Sequence, residues 1–556
     1  MKRHLPELGL IAVAVAPLFL GLRDTLFETD PAQYAEVARR MLHSADPFSL
    51  HDNFGVFLNK PPMTMWAAAL AMKLLGVTSA AFRLPALVFA LGLLAAVWRI
   101  GELLWDRTTG LVAVAFTGAS FSVQLMVLDP KVDAGVTCFM ALTVWALLEA
   151  RRRPRLVWLA WAFAAAGILT KGPIGLAAPA AAVAPEALRR RWGAAEPGAV
   201  WQRILAFKPL SGLALLCALM ATWYTALIRE HGWAGAKYLL WEMSFSRVLH
   251  QSDYHNATTP LFFLHTGLWA FLPFTPVLLF ELATAARGLL QSRRLPPDEA
   301  RVVWWWLLIP FAVISLAEFR LPQYLYWLAP PAALLSARAV ARVCRAERSA
   351  APSWLAGFAV AIAVAAAALA ALALVRGFPP SSVAAGCVWL AVAGLVPAGL
   401  MLVARRWEAV PRLAGFLVAS TAGLALFYGG YLHATFGEYQ PAEAFGARAK
   451  REEPKGAALP FVALSADNAT AYYADRPATE VGLEGLADAV RSGRVTLAVT
   501  ETETLPKLAE LGLTAEVLEV RPSFPVSRPT LSFLDARTRP GVVRQRALVR
   551  LGLKAP

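Results

Sequence analysis

Two carboxylates, a lysine and an arginine carry the first chemical signals in this chain. In RDTLFETDPAQYAEVARRML, residues 23–42, Asp30 stands directly before Pro31, with Gln33 three positions on. Proline suits the first position of a helix, and this spacing resembles a capping box, so the sequence predicts a helix with Asp30 as its N-cap. A carboxylate fixed in that way at the mouth of a cavity can accept a proton from a sugar or lipid hydroxyl. It can equally do nothing but cap, and Glu28, two residues earlier, is a competitor that local chemistry does not separate from Asp30. In FLNKPPMTMW, residues 57–66, Lys60 comes immediately before Pro61 and Pro62. The prolines stiffen the backbone, so the ammonium points where the turn dictates and suits a lipid phosphate. The alternative is a lysine that only snorkels to an interface beside an apolar helix. Arg247, in the segment 230–260, adds a guanidinium able to chelate phosphate in the planar manner that lysine cannot.

The elements that must hold these groups are hydrophobic. Apolar residues make up 58% of the 556-residue chain and charged residues 16%. Mean hydropathy is +0.51, more than a soluble core needs, which reads as a polytopic membrane protein. The net charge of +15 sits in short loops between apolar runs, a membrane-topology pattern and not a nucleic-acid surface. The four cysteines include no CxxC pair, so neither a disulfide framework nor a metal cluster is inferred. Residues 1–22 are read as a retained first span, not a removed signal peptide. Tyr34, Val37, Ala38, Met41 and Leu42 form an apolar stripe on the helix after Asp30, opposed by Gln33, Glu36, Arg39 and Arg40, so this helix is expected to lie along the membrane surface.

Basic loops at 151–155, 189–191, 287–301, 338–348 and 405–406 are expected in the cytoplasm. Tight turns at 129–133, 171–173, 319–322 and 376–380 are expected outside. With the N-terminus inside, about thirteen spans follow, near 7–22, 81–104, 109–127, 132–150, 156–170, 173–188, 208–229, 261–284, 302–317, 322–340, 352–375, 383–404 and 412–432. Residues 63–77 are apolar, yet counting them as a crossing inverts every later loop; they are read as a re-entrant or interfacial helix. The spans within 156–188 and 302–340 are short, so their turns, with Lys171, Glu318 and Arg320, are expected to be recessed inside protein or beside a wet cavity. Residues 1–435 are thus a membrane domain whose first large outer loop is 23–80. Residues 440–556, where strand and helix patterns alternate, are a small α/β domain on the outer side. The stretch DNATAYYADRP at 467–477 is read as packing, with contact to an acceptor as the alternative.

Taken in order, DPAQYAEVARRML, FLNKPPMTMW, KLLGVTSAAFRLPAL, DPKVDAG, GILTKGPIGL and FRLPQYLYWLAPP resemble a known family. They look like the bacterial polyprenyl-phosphate-dependent glycosyltransferases related to protein O-mannosyltransferases and to the aminoarabinose transferase that modifies lipid A. The match covers residues 1 to about 345. It implies an all-α GT-C membrane domain, with outer-loop interfacial helices roofing a cavity for a sugar carried on a polyprenyl phosphate, and transfer with inversion. By motif position, Asp30 matches the family's catalytic aspartate, with Tyr34 the retained tyrosine beyond it. Lys60 matches the lysine expected on the donor phosphate, Asp133 and Lys171 match charged positions of later outer turns, and Tyr324 belongs to the L-P-x-Y element.

Three departures stand out. Asp30-Pro31 replaces the family's frequent Asp-Glu, Asn59-Lys60-Pro61-Pro62 replaces Glu-Lys-Pro-Pro, and Gln323 stands where relatives carry histidine. Loss of both glutamates removes oxygens a divalent cation would want, so no cofactor is firmly implied. The implied partners are a polyprenyl-phosphate-linked sugar, a lipid, glycan or protein acceptor, and membrane lipid, in a bacterial inner membrane. A transporter or lipid flippase is the main rival, though it predicts charge buried mid-span and related halves. A non-catalytic sensor using the C-terminal domain is the second.

Overall fold

The structure is a computed structural model that describes residues 4–44, 46–177, 180, 202, 205–246, 249, 256, 258–259, 261–292, 298–346, 351–453 and 458–554. Helices α1 (Leu5–Val15), α2 (Asp30–Ser44), α3 (Met63–Leu75), α4 (Ser79–Leu104), α5 (Arg107–Ala119), α6 (Phe121–Leu128), α7 (Val132–Glu149) and α8 (Leu156–Lys171) occupy the first third. Among the described residues six helices are long and apolar enough to cross a membrane, or seven if the bent pair α5 and α6 is one span. They include α4, α7, Pro209–Phe245, Pro352–Gly377, Val383–Ala404 and Ala409–Gly437. The protein is therefore a multi-pass membrane protein. At 1.5 Å per residue α3 reaches only about 20 Å, short of a hydrocarbon core of ~30 Å.

The expected span 109–127 is broken. Ser120 adopts extended backbone and its hydroxyl caps α6, so α5 and α6 meet at 55°. The Gln124 amide donates to the Ala14 and Gly118 carbonyls, at 3.0 and 2.6 Å, and so ties α6 to the end of α5 and to α1. The bend carries the chain into the 129–131 turn.

A second sharp feature is the end of α8. Gly172 has φ +81°, and Gly175 lies so close to Gly167 that an added Cβ would sit 2.6 Å from its carbonyl carbon. Only glycine tolerates both the left-handed backbone and the approach. The chain after Lys171 therefore folds back on its own helix.

Residues beyond 441 build a five-stranded mixed sheet from β3 (Leu459–Val462), β4 (Ala478–Val481), β5 (Leu497–Glu501), β6 (Leu513–Ser523) and β7 (Arg544–Leu553), in the order β4-β3-β5-β7-β6. Strand β3 runs parallel to β4 and β5, while β7 is antiparallel to β5 and β6. One face packs around Phe445, Phe461 and Leu548, the other around Val462, Leu486 and Val549.

This unit sits on the segment 23–80 that follows α1. Asn53 exchanges two hydrogen bonds with the Ala478 backbone, at 2.8 and 2.9 Å. The Tyr473 hydroxyl accepts from the Leu26 N–H at 2.8 Å and lies 2.7 Å from the Ser79 hydroxyl. Arg39 donates to Asp475 at 2.6 Å. The 467–477 segment is thus packed on α2 and its flanks. Its cover also changes the reading of α2: the predicted polar face is not open, since Glu36 and Arg39 are as buried as Val37 and Met41.

Candidate active site

The start of α2 differs from its sequence signature. The Gln33 N–H donates to the Thr29 carbonyl, and Ala32 to Phe27, which makes Asp30 the first helical residue and not the cap. Gln33 does not reach back either; its amide donates to Asp52 at 2.6 Å, on β1 (His51–Asp52), which pairs with β2 (Gly55–Val56). The Asp30 carboxylate is left half-buried at a helix N-terminus, where the macrodipole favours the anion. It lines a cavity of about 830 Å³, a size typical of small-molecule sites, and among the described residues it has no hydrogen-bond partner.

The same cavity is lined by Lys60 and Asn59 from the proline turn, by Tyr34, and by Asp133, Lys171 and Tyr324. Lys60 donates to the Asn59 carbonyl at 2.9 Å. The Asn59 side-chain oxygen lies 3.5 Å from the Tyr238 hydroxyl. Tyr34 is buried with its ring edge-on to Phe57, centroids 6.0 Å apart; burial first, then the Asp30 charge, holds its phenol protonated well above the ordinary range.

Asp133, Lys171 and Tyr324 form one constellation with a residue the sequence did not flag. The Lys171 ammonium is 2.5 Å from Asp133 and 4.7 Å from the ring centroids of both Tyr324 and Trp327. The Trp327 indole N–H donates to the same Asp133 oxygen at 2.8 Å. Tyr324 and Trp327 stack at 5.2 Å. They stand three apart on the 3-10 helix Pro322–Leu328, where such residues eclipse each other; that spacing in LPQYLYW was the available signal. Lys131, within DPKVDAG, is a further charged residue at this wall. It lines the cavity and pairs with Asp129 at 2.7 Å. Burial alone would lower its pKa, but the Asp129 carboxylate outweighs that and raises it.

Glu28 takes a different direction. Its carboxylate accepts from the Ala469 N–H at 3.0 Å, at the start of the helix Asn468–Ala474, and it is not part of the cavity lining. Burial, then the nearby Asp467, raises its pKa to about 8. Glu28 thus joins the C-terminal unit to the segment before α2, and of the two Asp30 is the carboxylate left facing the cavity. Arg247 lies outside the described residues. Among the described residues no group of three or more His, Cys, Asp or Glu side chains converges to hold a metal ion.

The cavity, with a carboxylate and a lysine on its wall, sits in a fold that comparison with solved structures shows to be of the GT-C type. ArnT from Cupriavidus metallidurans bound to undecaprenyl phosphate superposes with a TM-score of 0.74, at 20% identity, over 99% of both chains. The apo oligosaccharyltransferase of Archaeoglobus fulgidus gives 0.53 at 11% identity, over 90% of this chain and 70% of that one. Residues 59–223 match the dolichyl-phosphate-mannose-protein mannosyltransferase family. Over 353 residues the chain is 30% identical to undecaprenyl phosphate-alpha-4-amino-4-deoxy-L-arabinose arabinosyl transferase 1 of Sodalis glossinidius, covering 61% of this chain and 59% of that protein. The Pseudomonas aeruginosa (strain UCBPP-PA14) transferase of the same name is 27% identical over 63% of this chain and 62% of its own length. The chain thus spans about three-fifths of the curated relatives it matches. The comparisons agree with the resemblance carried by the motifs: the chain is similar to the protein O-mannosyltransferase family over residues 59–223 and to aminoarabinose transferases over about three-fifths of its length, and it shares the ArnT fold.

Proposed function

We propose that this protein is a glycosyltransferase of the bacterial inner membrane that moves a sugar from a polyprenyl-phosphate donor to an acceptor on the periplasmic side, with inversion. The acceptor is a lipid of the lipid A kind, another glycan or a protein. The observation that carries the reading is the shared cavity, which has the Asp30 carboxylate and the Lys60 ammonium on its wall. In this reaction an acceptor hydroxyl oxygen attacks the anomeric carbon and the bond from that carbon to the phosphate oxygen breaks. Polyprenyl phosphate leaves with the electron pair, and the hydroxyl proton passes to Asp30. Lys60 stabilises the charge that develops on the departing phosphate, and Arg247 is proposed as its second ligand.

The topology that fits this chemistry has about thirteen crossings, a cytoplasmic N-terminus and a periplasmic C-terminal α/β domain at 440–556. The departures at Pro31, Asn59 and Gln323 favour a donor sugar or acceptor different from that of the lipid A enzymes. Mass spectrometry of lipids that copurify with the detergent-extracted protein is the test. A sugar-bearing polyprenyl phosphate supports the reading and identifies the donor; bulk phospholipid alone counts against it.

A further inference from the structure

We infer that Arg528 recognises an anionic group, a phosphate or carboxylate, on the acceptor, and that through it the C-terminal unit takes part in choosing the substrate. The inference rests on the transfer reading above. Among the described residues four cationic side chains line the cavity: Lys60, Lys131, Lys171 and Arg528. Lys131 is paired with Asp129 and Lys171 with Asp133, and Lys60 donates to the Asn59 carbonyl. Arg528 is exposed, and its guanidinium has no hydrogen-bond or ion-pair partner among the described residues. Its planar fork suits a two-oxygen anion.

The turn that carries Arg528 is anchored. Phe524 stacks on Phe533 with centroids 4.0 Å apart, and its carbonyl accepts from the Gln440 amide at 2.7 Å. Val526 is buried, and the Arg528 N–H closes a turn onto the Pro525 carbonyl at 3.0 Å. The Ser527 hydroxyl donates to the Glu28 carbonyl at 2.5 Å, which places the turn beside the residues leading into Asp30. In a displacement with inversion, the attacking hydroxyl and the leaving phosphate occupy opposite faces of the anomeric carbon. A cation beside the base therefore stands on the acceptor's side, whereas Lys60 arrives from a separate loop. Sequence reading had no access to this, because Ser527 and Arg528 lie in a polar loop, and the Glu28 backbone that Ser527 meets is 499 positions away.

The test is direct binding to the full-length protein in detergent, wild type against Arg528→Ala and Arg528→Lys. Three probes are used: a diphosphorylated glucosamine-disaccharide lipid, the same lipid stripped of phosphate, and undecaprenyl phosphate. Arg528→Ala should weaken the phosphorylated lipid about tenfold or more, the scale of a charge-assisted hydrogen bond, with Arg528→Lys between it and wild type. The dephosphorylated lipid and undecaprenyl phosphate should bind as in wild type. Equal losses for both glycolipids, no loss for either, or weakened undecaprenyl phosphate would each overturn the assignment, the last by moving Arg528 to the donor side. The measurement needs no turnover, so a failed transfer assay and a failed Arg528 assignment remain separate results.

Discussion

Lys171→Met provides the most quantitative test of the cavity wall. The Lys171 side chain is 11% exposed and that of Asp133 2%, so this is a buried pair whose desolvation has already been met. Removing the ammonium leaves the Asp133 carboxylate with the Trp327 indole N–H, and deleting one partner of a buried pair costs about 3–5 kcal/mol. Loss of the cation beside the stacked Tyr324 and Trp327 rings adds about 1–2 kcal/mol. Asp133→Asn should cost less, about 1–3 kcal/mol, because a neutral amide oxygen still accepts from both donors. The double variant contains neither orphan charge, so its cost should fall short of the summed singles by about 2–3 kcal/mol. Unfolding midpoints of the purified protein in one detergent, followed by tryptophan fluorescence, provide the cycle. If the two costs add, the ion pair does not organise the wall and the reasoning fails.

Other perturbations separate positioning from packing. Asp30→Asn should abolish transfer while leaving undecaprenyl phosphate binding measurable; wild-type turnover would remove Asp30 from the mechanism. Arg39→Met leaves the buried Glu36 with Arg40 as its one remaining cation and should destabilise by about 2 kcal/mol, whereas Asp475→Asn removes a half-exposed partner worth at most about 1 kcal/mol; unfolding midpoints check the ranking. Glu28 is raised by burial from its ordinary 4.5 to about 8, so the unfolded chain gives up this proton first as pH rises. Its contribution to stability is full below about pH 4.5 and is lost as pH climbs through about 8. Glu28→Gln should flatten that decline in unfolding scans between pH 5 and 8.5. Trp327→Phe removes the indole donor to Asp133 and keeps the ring over Lys171, so it should cost about 1–3 kcal/mol, well below Lys171→Met in the same assay.

What the sequence displayed was the periodic and the local. Apolar runs announced a multi-pass membrane protein because burial in lipid demands length, and the proline turn around Lys60 followed from backbone rigidity. Position along the chain already set Asp30, Lys60, Asp133, Lys171 and Tyr324 apart, and folding brought all of them to one cavity. What was not legible depended on contacts between distant segments. Asp30 read as a cap because Asp-Pro-x-Gln is a good local start, but Gln33 found Asp52 instead. Glu28 looked equivalent to Asp30 until the Ala469 N–H, 441 positions away, accounted for its carboxylate. The break at Ser120 was hidden because both halves are apolar and hydropathy does not register a bend. The buried polar face of α2 was hidden because the unit covering it comes from the other end of the chain.

The central claim is that Asp30 and Lys60 face one cavity in order to transfer a sugar from polyprenyl phosphate. Reconstituting the purified protein in liposomes with an undecaprenyl-phosphate sugar and a lipid acceptor, and following release of undecaprenyl phosphate together with glycosylated acceptor, addresses it directly. The account predicts matched release and glycosylation with wild type, loss of both with Asp30→Asn, and weakened donor binding with Lys60→Ala. Equal rates in wild type and Asp30→Asn, or movement of the lipid across the bilayer with no change in its sugar, would contradict it.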